Sequence, residues 1–138
     1  MMEQTLIESA FAEGMTAVII EALVRKEMNK VLLVRHLQGE DRFYHFPYAL
    51  VKEGESATQA LQRGVMDWTQ MGVKEVVGYL GHYDVEVERH LIFIVETLDP
   101  FAIGGNKSIS CSWVDVQEAV GYPIRDATRE MLDLFTKA

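Results

Sequence analysis

Apolar and polar positions fall into blocks along this chain, and the period changes from block to block. Thr16 to Arg25 is apolar for most of its length and predicts a long strand. A polar turn, Lys26 to Lys30, joins it to a second strand, Val31 to Arg35, so the pair predicts a hairpin. Gln38 to Arg42 is a loop, and Phe43 to Pro47 is a short aromatic segment stopped by its proline. After the polar loop Lys52 to Ser56 the period lengthens to that of a helix, from about Ala57 to Met71. Ser56 is placed to cap its start, Gly72 to follow its end, and Ala60, Leu61 and Val65 to face inward. Val76 to Tyr83 and His90 to Leu98 predict two more strands joined through Asp84 to Arg89, and Ser108 to Val114 a last one. Asp115 is placed to cap a short helix to Val120. Asp126 is placed to cap a terminal helix whose buried stripe is Met131, Leu132 and Phe135.

Ahead of all this, residues 1–14 carry a weak period through Leu6, Ile7, Ala10 and Phe11, enough for a short helix closed by Gly14. The order of strands, helix, strands and helix gives an α+β class, a mixed β-sheet sandwiched between α-helices. With 138 residues and neither repeat nor linker, the expectation is one domain over 1–138, with 1–14 as an N-terminal extension.

Charge narrows the partners. A net charge of −8 argues against a nucleic-acid polymer, which needs clustered Lys and Arg. No apolar run approaches the roughly 18 residues of a membrane span. Cys111 is alone, which favours a reducing compartment, and no signal-like segment opens the chain, so a cytoplasmic protein is expected.

The informative stretch is Phe46-Pro-Tyr-Ala-Leu-Val-Lys-Glu-Gly-Glu-Ser56 and the helix containing Arg63. It resembles the Nudix hydrolase signature, in which a Gly, five residues, a Glu and seven residues precede Arg-Glu-aliphatic-x-Glu-Glu-x-Gly-aliphatic. With Glu55 on the signature's first Glu, Arg63 falls on its Arg, and Pro47, Val51, Gly54, Ser56, Ala60 and Val65 also match. The steps from Trp113 to Ala119 and from Pro123 to Arg129 resemble the family's later elements, so about 120 residues follow its plan.

The departures are concentrated at the chemistry. The two glycines after Pro47 are Tyr48 and Ala49, and the helix carboxylate positions are Gly64, Asp67 and Trp68. Two extra residues precede Gly72. In the family those carboxylates hold divalent cations against a substrate diphosphate, and Mg²⁺ needs several hard oxygen ligands on one face. Here that face offers one acid. Gly64 is expected to leave room for the Trp68 indole, which leans back toward it and fills the cradle.

The resemblance therefore implies a Nudix fold with a degraded metal site, weak or absent hydrolysis, and a pocket for a nucleotide-like small molecule. The first alternative is a working hydrolase, with Mg or Mn held by Glu55, Asp67 and the Ala49 carbonyl, Glu55 and Asp67 as catalytic groups, and Glu53 or Glu86 in support. The second is a non-catalytic interaction module, for example one that packs a homodimer. Glu55 and Arg63 are expected to form a structural pair, Tyr48 and Trp68 to contact substrate, and His36, His45, His82 and His90 to be structural. Glu86 and Glu88 are expected in a solvated acidic loop.

Overall fold

A computed structural model of the chain describes residues 2–27, 29–99 and 108–137. Its order is α1 (Met2–Ala12), β1 (Ala17–Lys26), β2 (Lys30–His36), β3 (Tyr48–Leu50), α2 (Ala57–Thr69), β4 (Val73–Val85), β5 (Glu88–Thr97), β6 (Ile109–Asp115), α3 (Val116–Ala119) and α4 (Asp126–Lys137). The strands form one sheet in the order β4-β5-β1-β2-β6, with β3 also paired to β1. The sheet is mixed, since β1 runs parallel to β5 and antiparallel to its other partners.

Two apolar layers cover the two faces. On one, Val18, Ile20, Ala22 and Val24 of β1 meet Ile7 and Ala10 of α1 and Ala60, Leu61 and Val65 of α2. On the other, Leu23, Val31 and Leu33 meet Ala119, Ile124, Met131 and Leu132 from α3, α4 and the segment between them. The alternation of β1 between these layers is the period-two pattern of a strand buried on both sides. The expected sandwich of sheet between helices is what forms. Phe135, expected in the buried stripe of α4, is half-buried at the rim of the second layer.

Several boundaries moved for identifiable reasons. The β1–β2 hairpin exists but is short, with only Arg25–Val31 and Lys26–Lys30 in register. Beyond them β1 turns to β5 and β3, while β2 continues against β6. The connection between β4 and β5 is tighter than expected, because the strands run on to Val85 and from Glu88. Asp84 and Arg89 are opposed within the ladder and paired at 2.8 Å. Asp126 is the first residue of α4 rather than a cap outside it; the first helical bond runs from Arg129 to the Arg125 carbonyl.

Helix α2 starts as expected. Ser56 accepts from the Gln59 amide, and the Gln59 side chain accepts from the Ser56 amide, so both halves of a capping box are present. It ends at Thr69, two residues earlier than expected, where Gln70 takes the left-handed conformation at φ 59°. Counted along the signature, Gln70 stands at the family's glycine. The supposed two-residue insertion is therefore absent: a non-glycine residue takes the left-handed turn in place. The Thr69 hydroxyl donates to the Val65 carbonyl and accepts from the Met71 amide, fixing that end.

Candidate functional site

The residues singled out by the signature gather where α2 meets β3 and the loop between them: Glu55 and Asp67 near Arg63, and Gly64 and Trp68 against Tyr48 and Ala49. Glu55 sits in the loop before α2, where its carboxylate takes two bonds from Arg63, Nε to Oε2 at 3.0 Å and Nη2 to Oε1 at 2.8 Å. The same Nη2 donates to the Leu50 carbonyl at 2.6 Å, and the Lys52 amide donates to Glu55 at 3.0 Å. This two-pronged pair holds β3, the loop and α2 together. Arg63 first, and the Lys52 amide second, hold the Glu55 carboxyl down at about 2. Glu53 and Glu55 border an open depression of about 710 Å³ between the loop and α1. Asp67 is exposed on α2, and Glu86 is exposed in the β4–β5 turn with φ 55°.

Ala49 lies in the β1–β3 ladder opposite Ile20. Flanking bonds from Ala22 to the Pro47 carbonyl and from Val51 to the Val18 carbonyl share that register. Ile20 and Ala49 are thus a hydrogen-bonded pair, which commits the Ala49 carbonyl to the strand.

Gly64 and Trp68 are both on the buried face of α2. The atoms nearest to Gly64 belong to β3. A Cβ at 64 would lie 2.9 Å from the Tyr48 carbonyl carbon, 3.0 Å from its oxygen and 3.1 Å from the Ala49 Cβ. What Gly64 permits is close approach of α2 to the β3 backbone. Trp68 is 8% exposed, and its Nε1 donates to the Tyr48 carbonyl at 3.1 Å. Its ring lies 4.6 Å from that of His36, 4.8 Å from His45 and 5.4 Å from Tyr48. His36 and His45 thus help enclose the indole.

A cleft of about 390 Å³ opens beside Tyr48, bordered by β1, β4, β5 and the start of α4. Tyr48, 41% exposed, stands at its mouth; Trp68 does not reach it. Its polar centre is Glu21, only 5% exposed. One oxygen of Glu21 accepts from the Tyr83 hydroxyl and from His90 Nδ1, the latter at 2.7 Å. The Tyr83 and His90 rings stack at 4.5 Å with 11° between their planes. Burial, and then the Glu21 charge, raise the Tyr83 phenol far above its ordinary range, so it stays a neutral donor. Burial also lowers His45, whose Nδ1 bonds the Phe46 carbonyl at 2.8 Å. His45 is therefore a neutral ring with its proton on Nδ1.

The grouping of Glu21, Tyr83 and His90 was missed by sequence reasoning, which left His90 structural and did not single out Glu21. A signal was present. Glu21 is the one acid of β1, set among the apolar residues of 17–24, and a buried acid needs partners. The partner residues lie 62 and 69 positions away, so their meeting follows only from the β1–β5 and β4–β5 pairings.

No protein-family model and no curated protein matches the sequence. Solved structures do. A MutT analysed from Aliivibrio salmonicida and Vibrio cholerae superposes with a TM-score of 0.75 at 18% identity, covering 89% of this chain and 98% of that one. This chain has the Nudix fold. A NUDIX hydrolase from Nitrosomonas europaea gives 0.71 at 19% identity over 88% of each chain. A MutT protein from Methanosarcina mazei gives 0.67 at 18%, covering 88% of this chain and 93% of that one. At such identities the Nudix likeness is one of fold, and the chemistry must be argued from this chain's residues. No helix among the described residues is long and apolar enough to cross a membrane.

Proposed function

We propose that this Nudix-fold chain binds a nucleotide-sized small molecule in the cleft beside Tyr48 and hydrolyses nucleoside diphosphate derivatives weakly or not at all. The observation that carries this reading is the Trp68 indole, hydrogen-bonded to the Tyr48 carbonyl where the signature has a carboxylate. The donor set does not suit Mg²⁺ or Mn²⁺. Glu55 is engaged by Arg63, Ala49 by the ladder, and Asp67 is one exposed acid. Hard cations of this kind take several oxygens in a fixed geometry. The reading treats residues 1–138 as one domain in a cytoplasmic protein, with residues 1–14 an extension that packs on α2.

The test is phosphate release from a panel of nucleoside diphosphate derivatives with Mg²⁺ or Mn²⁺, beside melting curves with the same ligands and no metal. The reading expects no metal-dependent turnover and a rise in melting temperature with at least one ligand, since a ligand of the folded state stabilises it. Turnover near 1 s⁻¹, an ordinary enzyme rate, ends it.

A second reading, a working hydrolase, draws on one observation. Asp67 is exposed on the same helix as Arg63, free to take a cation together with substrate oxygens. Loss of metal-dependent turnover in Asp67→Asn is its signature.

A further inference from the structure

We propose that the cleft takes a small organic cation whose charge is carried on a flat aromatic ring. This rests on the reading of the cleft as a ligand pocket and names the class of ligand.

Rings supply the first argument. His45 and Tyr48 meet edge to face at 5.3 Å, and Tyr83 and His90 stack at 4.5 Å; all four line the cleft. Aromatic faces carry negative quadrupoles and attract a cation, most strongly where water is excluded. A flat ring adds stacking to that attraction.

Charge supplies the second. Glu21, Asp41 and Glu88 border the cleft, and Arg125 is the one Lys or Arg among the described residues that do so. Arg125 is already held by Asp41 at 2.7 Å. Those two largely offset each other, leaving Glu21, 2.7 Å from His90 Nδ1, and Glu88, 3.8 Å from its Nε2. Even with His90 charged, the carboxylates of the lining outnumber its cations. The uncompensated charge of the lining is thus negative, which favours a ligand whose ring carries positive charge. The net charge of −8 gives the surrounding field the same sign.

Rigidity supplies the third. Glu21 is held by two donors, and those donors are stacked on each other, so acceptor and ring face are fixed before a ligand arrives. A site ordered in advance loses less freedom on binding.

The experiment is calorimetry on the full chain at low ionic strength, without metal, using N-methylquinolinium, quinoline and ADP. The first two share a flat ring and differ in charge at neutral pH. We expect the cation to bind at least about tenfold more tightly than quinoline, with the preference shrinking as salt rises. Glu21→Gln should reduce the preference to about twofold or less. Glu88→Gln, at an exposed position, should weaken cation binding about threefold and covers the case in which Glu21→Gln does not fold. Equal binding of the two rings overturns the proposal, as does a preference unchanged in both variants. ADP bound without any preference for the cation keeps the pocket and ends the cation assignment. Failure of all three probes to bind ends both.

Discussion

The two faces of β3 have opposite characters. Toward α2, Ala49 is pressed against Gly64, and Trp68 closes over the Tyr48 carbonyl, so the place where a metal cradle is expected is filled with carbon and aromatic rings. On the cleft side, Tyr48 stands beside a cavity whose charged floor is kept open and ordered by Glu21, Tyr83 and His90. One face is given over to packing; the other buries a charge and furnishes it with donors. The contrast shows how one short strand can serve a packed face and an ordered polar cleft at once, with α2 covering the first and β1, β4 and β5 building the second.

The largest expected effect breaks the packed face. Gly64→Glu puts a side chain into the Tyr48 backbone, which cannot swing aside as a side-chain tip can. We expect a loss of about 3 kcal/mol, toward the upper end for overpacking, and a fall in melting temperature of roughly 10 °C. Even Gly64→Ala should destabilise, although alanine is better than glycine in a helix by about 1 kcal/mol. A more stable Gly64→Ala protein would show that α2 and β3 are not in tight contact. For the same reason, restoring both acids with Gly64→Glu and Trp68→Glu should not recover Mn²⁺-dependent phosphate release.

Trp68→Phe probes the same face more gently. It retains a ring and removes the donor to the Tyr48 carbonyl, so chemical denaturation should register a loss of about 1 kcal/mol from the hydrogen bond plus a smaller packing term. Because the indole touches the His45 and Tyr48 rings that border the cleft, ligand affinity there should also fall, by less than about tenfold.

Acid titration sharpens the account of the loop that carries β3 into α2. The Glu55 carboxyl is lowered from 4.5 to about 2 in the folded chain. A lowered acid stabilises above its unfolded value, so this contribution is complete above about pH 4.5 and is lost as pH falls toward 2. Because the Glu55–Arg63 pair is partly open to solvent, we expect only about 1 kcal/mol from it. Glu55→Gln should lower stability at neutral pH by that amount and flatten this part of the acid limb. A parallel curve for the variant would show that Arg63 does not hold the carboxylate. The smallest effect is Asp67→Asn, which at an exposed position should change stability by less than about 0.5 kcal/mol.

Much of the fold was legible because its signals are local. The capping box at Ser56 and Gln59 lies within four residues, and Ala60, Leu61 and Val65 announce the buried face of α2 by spacing alone. The end of α2 was misread because glycine is the usual left-handed residue and Gly72 was at hand, whereas Gln70 makes the turn. The site was harder. The Glu55–Arg63 pairing was readable from the signature, and the burial of Trp68 from its size. The close contact that requires Gly64 is with β3, sixteen residues earlier, and no local signal announces it. Glu21, Tyr83 and His90 meet only through sheet pairing, which no local period encodes.

Trp68 also gives the molecule an optical handle. Its indole is shut away from water and touches the rings of His36, His45 and Tyr48, the last two of which also border the cleft. Emission from a shielded indole lies to the blue of an exposed one, and its yield responds to the rings in contact with it. A molecule settling against Tyr48 or His45 sits one ring away from the emitter, so occupancy of the cleft can be followed as a change in brightness without any attached dye.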